Sequence, residues 1–180
     1  MLQITIKGTE LFDERTNRFI TVKGATLQLE HSLVSLSKWE SKWKVHYLNN
    51  EKLTPEMSVD YVRCMTTTQN VDPKVYEYLT EEDMRKIREY IDDPMTATTF
   101  RKSPKPPSRQ IVTAEIIYYW MVTMGIPFDP CQKWHLNRLM TLIRVCDEKN
   151  SPKKKMSKRE AMNQQRSLNA ARRARNHTSG

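Results

Sequence analysis

The chain has 180 residues, 30 of them Lys or Arg and 21 Asp or Glu, for a formal net charge of +9. Almost all of that surplus sits in residues 151–180, where nine basic side chains face one acid, Glu160. Three cysteines without paired spacing argue against a disulfide framework and for a reducing compartment. The N-terminus lacks the basic-then-apolar layout of a signal peptide, and the longest apolar stretch, residues 116–124, is too short to span a bilayer. The expectation is a soluble, cytosolic protein with a nearly neutral body, residues 1–150, and a cationic tail, residues 151–180.

Along the body, Leu2, Ile4 and Ile6 alternate with polar residues, the period of a half-buried strand. A second β-rich run follows at residues 19–23, and Asp13, Glu14, Arg15, Thr16 and Asn17 between them carry turn chemistry, so these two runs are expected to pair as a hairpin. Residues 25–29 offer a third strand, with Leu27 and Leu29 on one face. The period then lengthens. Leu33, Leu36, Trp39 and Trp43 recur at three and four residues, which predicts a helix over residues 31–43 with Glu30 or Ser32 at its cap.

Thr54-Pro55-Glu56 places a cap, a first-turn proline and a first-turn acid ahead of a helix reaching Met65. Asp72-Pro73 repeats the signal before Val75, Tyr76 and Tyr78. Thr80-Glu81-Glu82-Asp83 opens a further helix to Ile91, with acids at its positive end. Residues 95–100 read as a short strand or extended link, and the proline-rich residues 101–107 as an exposed loop that would divide two subdomains if there are two.

Residues 113–124 are apolar on every face except at Glu115, the mark of a buried helix, with Gly125 and Pro127 ending it. Tyr118, Tyr119, Trp120 and Trp134 are therefore expected in the core. Asp129-Pro130 would cap a last helix to about Asp147, with Leu136, Leu139, Met140, Ile143 and Cys146 on one face. The predicted fold class is α+β, mostly helical, with an N-terminal β-hairpin or small antiparallel sheet packed on a helical bundle. Residues 1–150 form its single folded domain, and the basic C-terminal tail is mobile or a marginal helix.

Catalytic chemistry has few candidates. The four glycines form no phosphate-cradling loop and no dinucleotide fingerprint. Cys131, His135 and Cys146 lie close in sequence, and on a continuous helix Cys131 and His135 would be one turn apart. A structural zinc site nevertheless needs four ligands, so core packing is the expected role of all three. Glu30, His31 and His46 are acid–base candidates without a positioned nucleophile, and Cys64 reads as core. No catalytic residue, no cofactor and no metal are expected, and the chain reads as a non-enzyme.

Trp39 and Trp43, four residues apart, share a helix face that serves either the core or a partner; the core is favoured. The tail's candidate partner-binding residues are Lys153, Lys154, Lys155, Lys158, Arg159, Arg166, Arg172, Arg173 and Arg175. Ala161, Met162, Leu168 and Ala171 give residues 157–174 only a sparse apolar stripe, so disorder or loose helix is expected until something binds. The tail has no aromatic residue to stack on bases and no large apolar face for a membrane. A protein partner is favoured over nucleic acid and over a merely solubilising role.

Several strings together resemble a family from tailed bacteriophage genomes, encoded near the tape-measure gene. They are Leu27-Gln28-Leu29-Glu30-His31-Ser32-Leu33 leading to Ser37-Lys38-Trp39-Glu40, then Gln69-Asn70-Val71-Asp72-Pro73 and Met95-Thr96-Ala97-Thr98. Thr113-Ala114-Glu115-Ile116-Ile117-Tyr118-Tyr119-Trp120-Met121 and Gln132-Lys133-Trp134-His135-Leu136-Asn137-Arg138-Leu139 continue it. In the tail it extends to Lys154-Lys155-Met156-Ser157 and Leu168-Asn169-Ala170-Ala171-Arg172. The family is that of the tail assembly chaperones. The resemblance implies a non-enzymatic virion morphogenesis factor in the cytoplasm of the infected bacterium, absent from the mature virion. Its partners would be the tape-measure protein, which it keeps soluble, and the major tail protein. A structural tail or head–tail joining protein is the neighbouring alternative, and a nucleic-acid-binding phage protein the alternative from another class.

Overall fold

The computed structural model describes residues 1–13, 18–100, 110–150 and 158–176. The fold is α+β and mostly helical, with antiparallel strand pairs at the N-terminus and helices thereafter. The chain divides into two compact units, residues 1–147 and 148–180. The expected loop at residues 101–107, and with it any subdomain boundary there, lies outside the described residues.

Four strands form two nested antiparallel pairs. Strand β1 (Leu2–Ile6) pairs with β4 (Ala25–Leu29), with Ile4 opposite Leu27 and Leu2 opposite Leu29. Strands β2 (Thr9–Asp13) and β3 (Arg18–Val22) pair with each other between them. The expected hairpin of residues 2–7 with residues 19–23 is thus corrected: the first strand bonds to the fourth, and a strand not anticipated, β2, takes the partner assigned to the first. Of the predicted turn, Asp13 is the last residue of β2 and residues 14–17 lie outside the described residues.

The chain re-enters the outer pair at Gly24, where the two backbones nearly touch. A Cβ there would sit 2.6 Å from the Gly8 nitrogen and 2.6 Å from the Ile6 carbonyl oxygen. Only a residue without a side chain fits that approach without moving the main chain. Alternation then places Ile4, Ile6, Leu27 and Leu29 on one buried face, Leu27 and Leu29 fully inaccessible.

Helix α1 (Leu33–Trp43) starts at Ser32, whose hydroxyl accepts from the Ser35 amide at 3.2 Å. Its stripe of Leu33, Leu36 and Trp39 is fully buried. Helix α2 (Pro55–Met65) begins with Thr54 as its cap, accepting from the Met57 amide at 3.2 Å, and buries Tyr61, Val62 and Met65. A 3-10 segment (Pro73–Tyr78) follows Asp72, whose carboxylate accepts from the Lys74 amide. Helix α3 (Glu81–Asp92) opens with a reciprocal box: the Thr80 hydroxyl accepts from the Asp83 amide, and the Asp83 carboxylate from the Thr80 amide. Residues 95–100 form no strand but an irregular link, and the end of α3 before it is held where the Asn137 amide group donates to the carbonyls of Ile91 and Asp93.

Helix α4 (Ala114–Thr123) corrects the expectation of a helix buried all round. Ala114, Ile117 and Met121 are fully buried, whereas Tyr119 and Val122, on the opposite face, are each 64% exposed. Trp120 and Trp134 are half-buried, so of the four aromatics assigned to the core none is fully enclosed. The helix lies against α1 by one face. Thr113 provides no side-chain cap; Glu40 of α1 does so from across the interface, accepting from the Ala114 amide at 2.7 Å and the Tyr47 amide at 3.0 Å. A carboxylate at a helix N-terminus satisfies an orphan donor and opposes the positive end of the helix.

The last body helix is also corrected. It does not run from Asp129: a short helix α5 (Phe128–Cys131) stops after one turn, and α6 (Leu136–Asn150) begins beyond His135. Leu136, Leu139 and Ile143 are its buried face, with Met140 and Cys146 half-buried beside them. The tail is helical as well, as α7 (Lys158–Asn176), and the side chains described there are all exposed.

Helix α4 generates a contrast within one element. Ile117→Asp buries an unpaired carboxylate and should abolish the cooperative thermal transition of the body. Val122→Asp, five residues on, should shift stability by no more than about 0.5 kcal/mol. Thermal denaturation followed by circular dichroism reads both, and equal damage would show that α4 is enclosed on every side.

Candidate functional site

The densest polar chemistry in the body is at the β4–α1 junction. Residues 30–32 run between two other segments and bond to both. The Glu30 amide donates to the Met65 carbonyl at 2.9 Å, and the Leu136 amide to the His31 carbonyl at 2.7 Å. Ser32 and His135 form an isolated antiparallel bridge. The side chain of His31 is therefore carried inward, 1% exposed, with its Nδ1 2.6 Å from the Tyr61 hydroxyl and its ring 5.1 Å from that of His135.

His135 is fixed on both ring nitrogens. Its Nε2 donates to the Tyr90 carbonyl at 3.0 Å, and its Nδ1 accepts from the Asn137 amide at 3.3 Å. The Tyr90 hydroxyl donates to Glu30 at 2.8 Å. Two imidazoles, two phenols and a carboxylate thus share one network, and among the described residues no buried side-chain polar atom lacks a partner. Burial, and then the neighbouring His135, push His31 down from its ordinary 6.5 to about 3, so it is neutral at physiological pH. Burial likewise drives the Tyr61 hydroxyl well above its usual range. These are groups fixed in their neutral forms, suited to joining three elements.

An aromatic stack continues from that network. Tyr61 and Tyr47 lie face to face at 3.7 Å, and Trp39 meets both edge-on. Trp39 is fully buried and its indole nitrogen donates to the Met57 carbonyl at 2.9 Å. Its candidate role as a partner-contacting residue is corrected accordingly: it is core. Trp43 is half-buried, with its indole nitrogen donating to Asp60 at 2.8 Å and the Lys42 ammonium on the other Asp60 oxygen at 2.5 Å. Burial alone would raise the Asp60 pKa; the hydrogen bonds of Lys42 and Trp43, with the charges of Lys42 and Arg63, hold it below the usual value.

Of the concavities on the described body, two are close to 800 Å³ in volume. One, of about 780 Å³, is bordered by His31, Tyr47, Asn50, Tyr61, Arg88 and Asn137. The other, of about 800 Å³, is mainly apolar, with Phe100, Trp120, Met124, Met140 and Ile143 along it. The Arg144 guanidinium lies 3.9 Å over the Phe100 ring at its edge.

Cys131 and His135, considered as neighbours on one helix, are separated by the break between α5 and α6. Among the described residues no group of three His, Cys, Asp or Glu side chains is placed to hold a metal ion. The Cys64 thiol, half-buried, is pushed up by burial and then by Asp60, away from the thiolate form a nucleophile needs.

Of the basic candidates, Lys153, Lys154 and Lys155 lie outside the described residues. Lys158 is the first residue of α7, and Arg159, Arg166, Arg172, Arg173 and Arg175 project from that helix as exposed side chains. Met162 and Leu168, the larger apolar residues of α7, are 56% and 52% exposed and stand about 120° apart around the helix, so the expected apolar stripe is not continuous. The structure therefore places six of the nine basic candidates on α7, the five arginines among them exposed. Among the described residues no helix is long and apolar enough to cross a membrane.

Sequence reasoning missed the His31–His135 pairing, because 104 positions separate the two residues and neither sits in a periodic pattern. No family model, curated protein or solved structure matches the chain.

The junction generates a pH prediction. Between about pH 6.5 and pH 3 the unfolded chain takes up a proton at His31 that the folded chain refuses. Stability from this group is complete above pH 6.5 and falls by about 1.4 kcal/mol per pH unit below it. From pH 7 to pH 5 the unfolding free energy should drop by about 2 kcal/mol. Urea titrations at the two pH values measure it, and His31→Gln should flatten the slope.

Proposed function

We propose that this protein is a non-enzymatic bacteriophage tail morphogenesis factor, a tail assembly chaperone that holds the tape-measure protein and presents it to major tail subunits. The observation that carries the reading is helix α7: five exposed arginines with exposed Met162 and Leu168, in a unit distinct from the body. A cationic helix of this kind is matched by an acidic helical surface, where charge steers the encounter. The resemblance of strings throughout the body and tail to phage tail assembly chaperones supports the same reading. The protein would act in the cytoplasm of the infected cell and leave before the virion is complete.

Co-expression with the tape-measure protein of the same phage, followed by pull-down at about 0.1 M and about 0.5 M salt, tests the proposal. Full-length protein should retain the client at the lower salt and lose much of it at the higher. Deletion of residues 151–180, or reversal of Lys153, Lys154 and Lys155 to Glu, should reduce retention at least several-fold while the body keeps its thermal transition. Equal retention by all forms would leave the tail a solubiliser, and abundant protein in purified virions would favour a structural tail component.

A further inference from the structure

Helix α7 has a regularity that charge counting does not reveal. Arg159, Arg166 and Arg173 are spaced by seven residues, and all three are exposed. On an α-helix each step of seven advances about 10.5 Å and turns the side chain back by only about 20°. The three guanidinium groups therefore form one nearly straight row, about 21 Å long. Arg172 and Arg175 fall on other faces. None of the ion pairs among the described residues engages the row.

A seven-residue period is the repeat at which a coiled-coil helix presents equivalent side chains, and left-handed supercoiling keeps such a row in line. Next to the arginines, about 40° to one side, lies Met162; to the other lie Ala170 and Ala174, small enough for a second backbone to approach. Duplex nucleic acid makes no comparable use of the period. It carries one negative charge per roughly 1.7 Å of axis, so any exposed arginine finds a phosphate and the off-row arginines should count equally.

We infer that α7 docks lengthwise on an acidic coiled-coil partner, with Arg159, Arg166 and Arg173 each pairing with a carboxylate from one heptad position of that partner. The inference rests on the reading that the tail binds a protein, and specifies the chemistry of the surface it binds. Planar guanidinium groups suit this, since each can meet a carboxylate through two parallel hydrogen bonds.

The experiment uses full-length protein and two synthetic coiled-coil peptides of identical composition and net charge. In one, glutamates occupy the same outer position of three successive heptads; in the other, they are distributed over different outer positions. Fluorescence anisotropy at about 0.1 M salt should show roughly tenfold tighter binding to the aligned peptide, the scale expected of three modest ion pairs acting together. The triple variant Arg159→Ala, Arg166→Ala, Arg173→Ala should bind both peptides within about twofold of each other, because the row is gone. Equal affinity of wild-type protein for the two peptides would overturn the proposal. So would tighter binding to a DNA duplex than to the aligned peptide, which would assign the helix to phosphate. Peptide preference without capture of the tape-measure protein would uphold the row and reject that client. Capture without preference would do the reverse.

Discussion

The body depends on how three residues, Glu30, His31 and Ser32, are held where the last strand becomes the first helix. Their backbone bonds on one side to the end of α2 and on the other to the start of α6. Their side chains reach α3 through Tyr90, α2 through Tyr61, and Ser35 of α1. A backbone running through the interior must satisfy its donors and acceptors there or lose their full hydration energy, and this segment does so with main-chain partners from distant parts of the chain. The contacts are long-range in sequence, so each closes a loop that folding must pay for in entropy before the contact forms. That cost makes the junction cooperative: it forms when α2, α3 and α6 are all in place, and it fixes them together.

The same junction accounts for the neutral histidine at the centre. A charged imidazole beside a second imidazole, away from water, would be penalised twice, by desolvation and by repulsion. Keeping His31 neutral lets it serve as a polar connector between the elements around it. Glu40 does related work nearby, one carboxylate tying α1 to the first amide of α4 and to the Tyr47 loop. Two buried acids, Glu40 and Asp60, thus fasten elements together by hydrogen bonds rather than facing a substrate, and both are partnered by donors on other elements.

Much of the helical part was legible because its signals are local. Thr54-Pro55 and Thr80 through Asp83 satisfy their own helix ends with their own side chains, so four consecutive residues contain the whole interaction. The strand pairing was not legible, because β1 has two plausible partners of similar composition and the choice is made by β2, whose Thr-Glu-Leu-Phe-Asp alternates weakly. Helix α4 misled for a different reason. Tyr119 and Val122 are apolar but face outward, and hydrophobicity says nothing of which apolar face a protein encloses. The break before α6 was hidden because residues 132–135 are ordinary in propensity; His135 leaves the helix to bond across to residue 32. In the tail, charge was legible at once, whereas the row of arginines emerges only when a helical conformation gives seven residues a meaning.

That conformation also bears on how α7 would bind and let go. Nineteen residues is long enough for helix to be marginally stable in water, and the segment lacks the buried stripe that stabilises helices in a core. Like charges seven residues apart lie about 10 Å from one another, near the screening length at physiological salt, so they repel only weakly along the row. A partner therefore has to supply little ordering energy to the backbone, and gains little apolar burial in return. Binding of that kind takes its strength from several exposed ion pairs, each worth at most about 1 kcal/mol and each weakened by salt. Such an interface forms quickly and is displaced readily by a surface with better apolar packing.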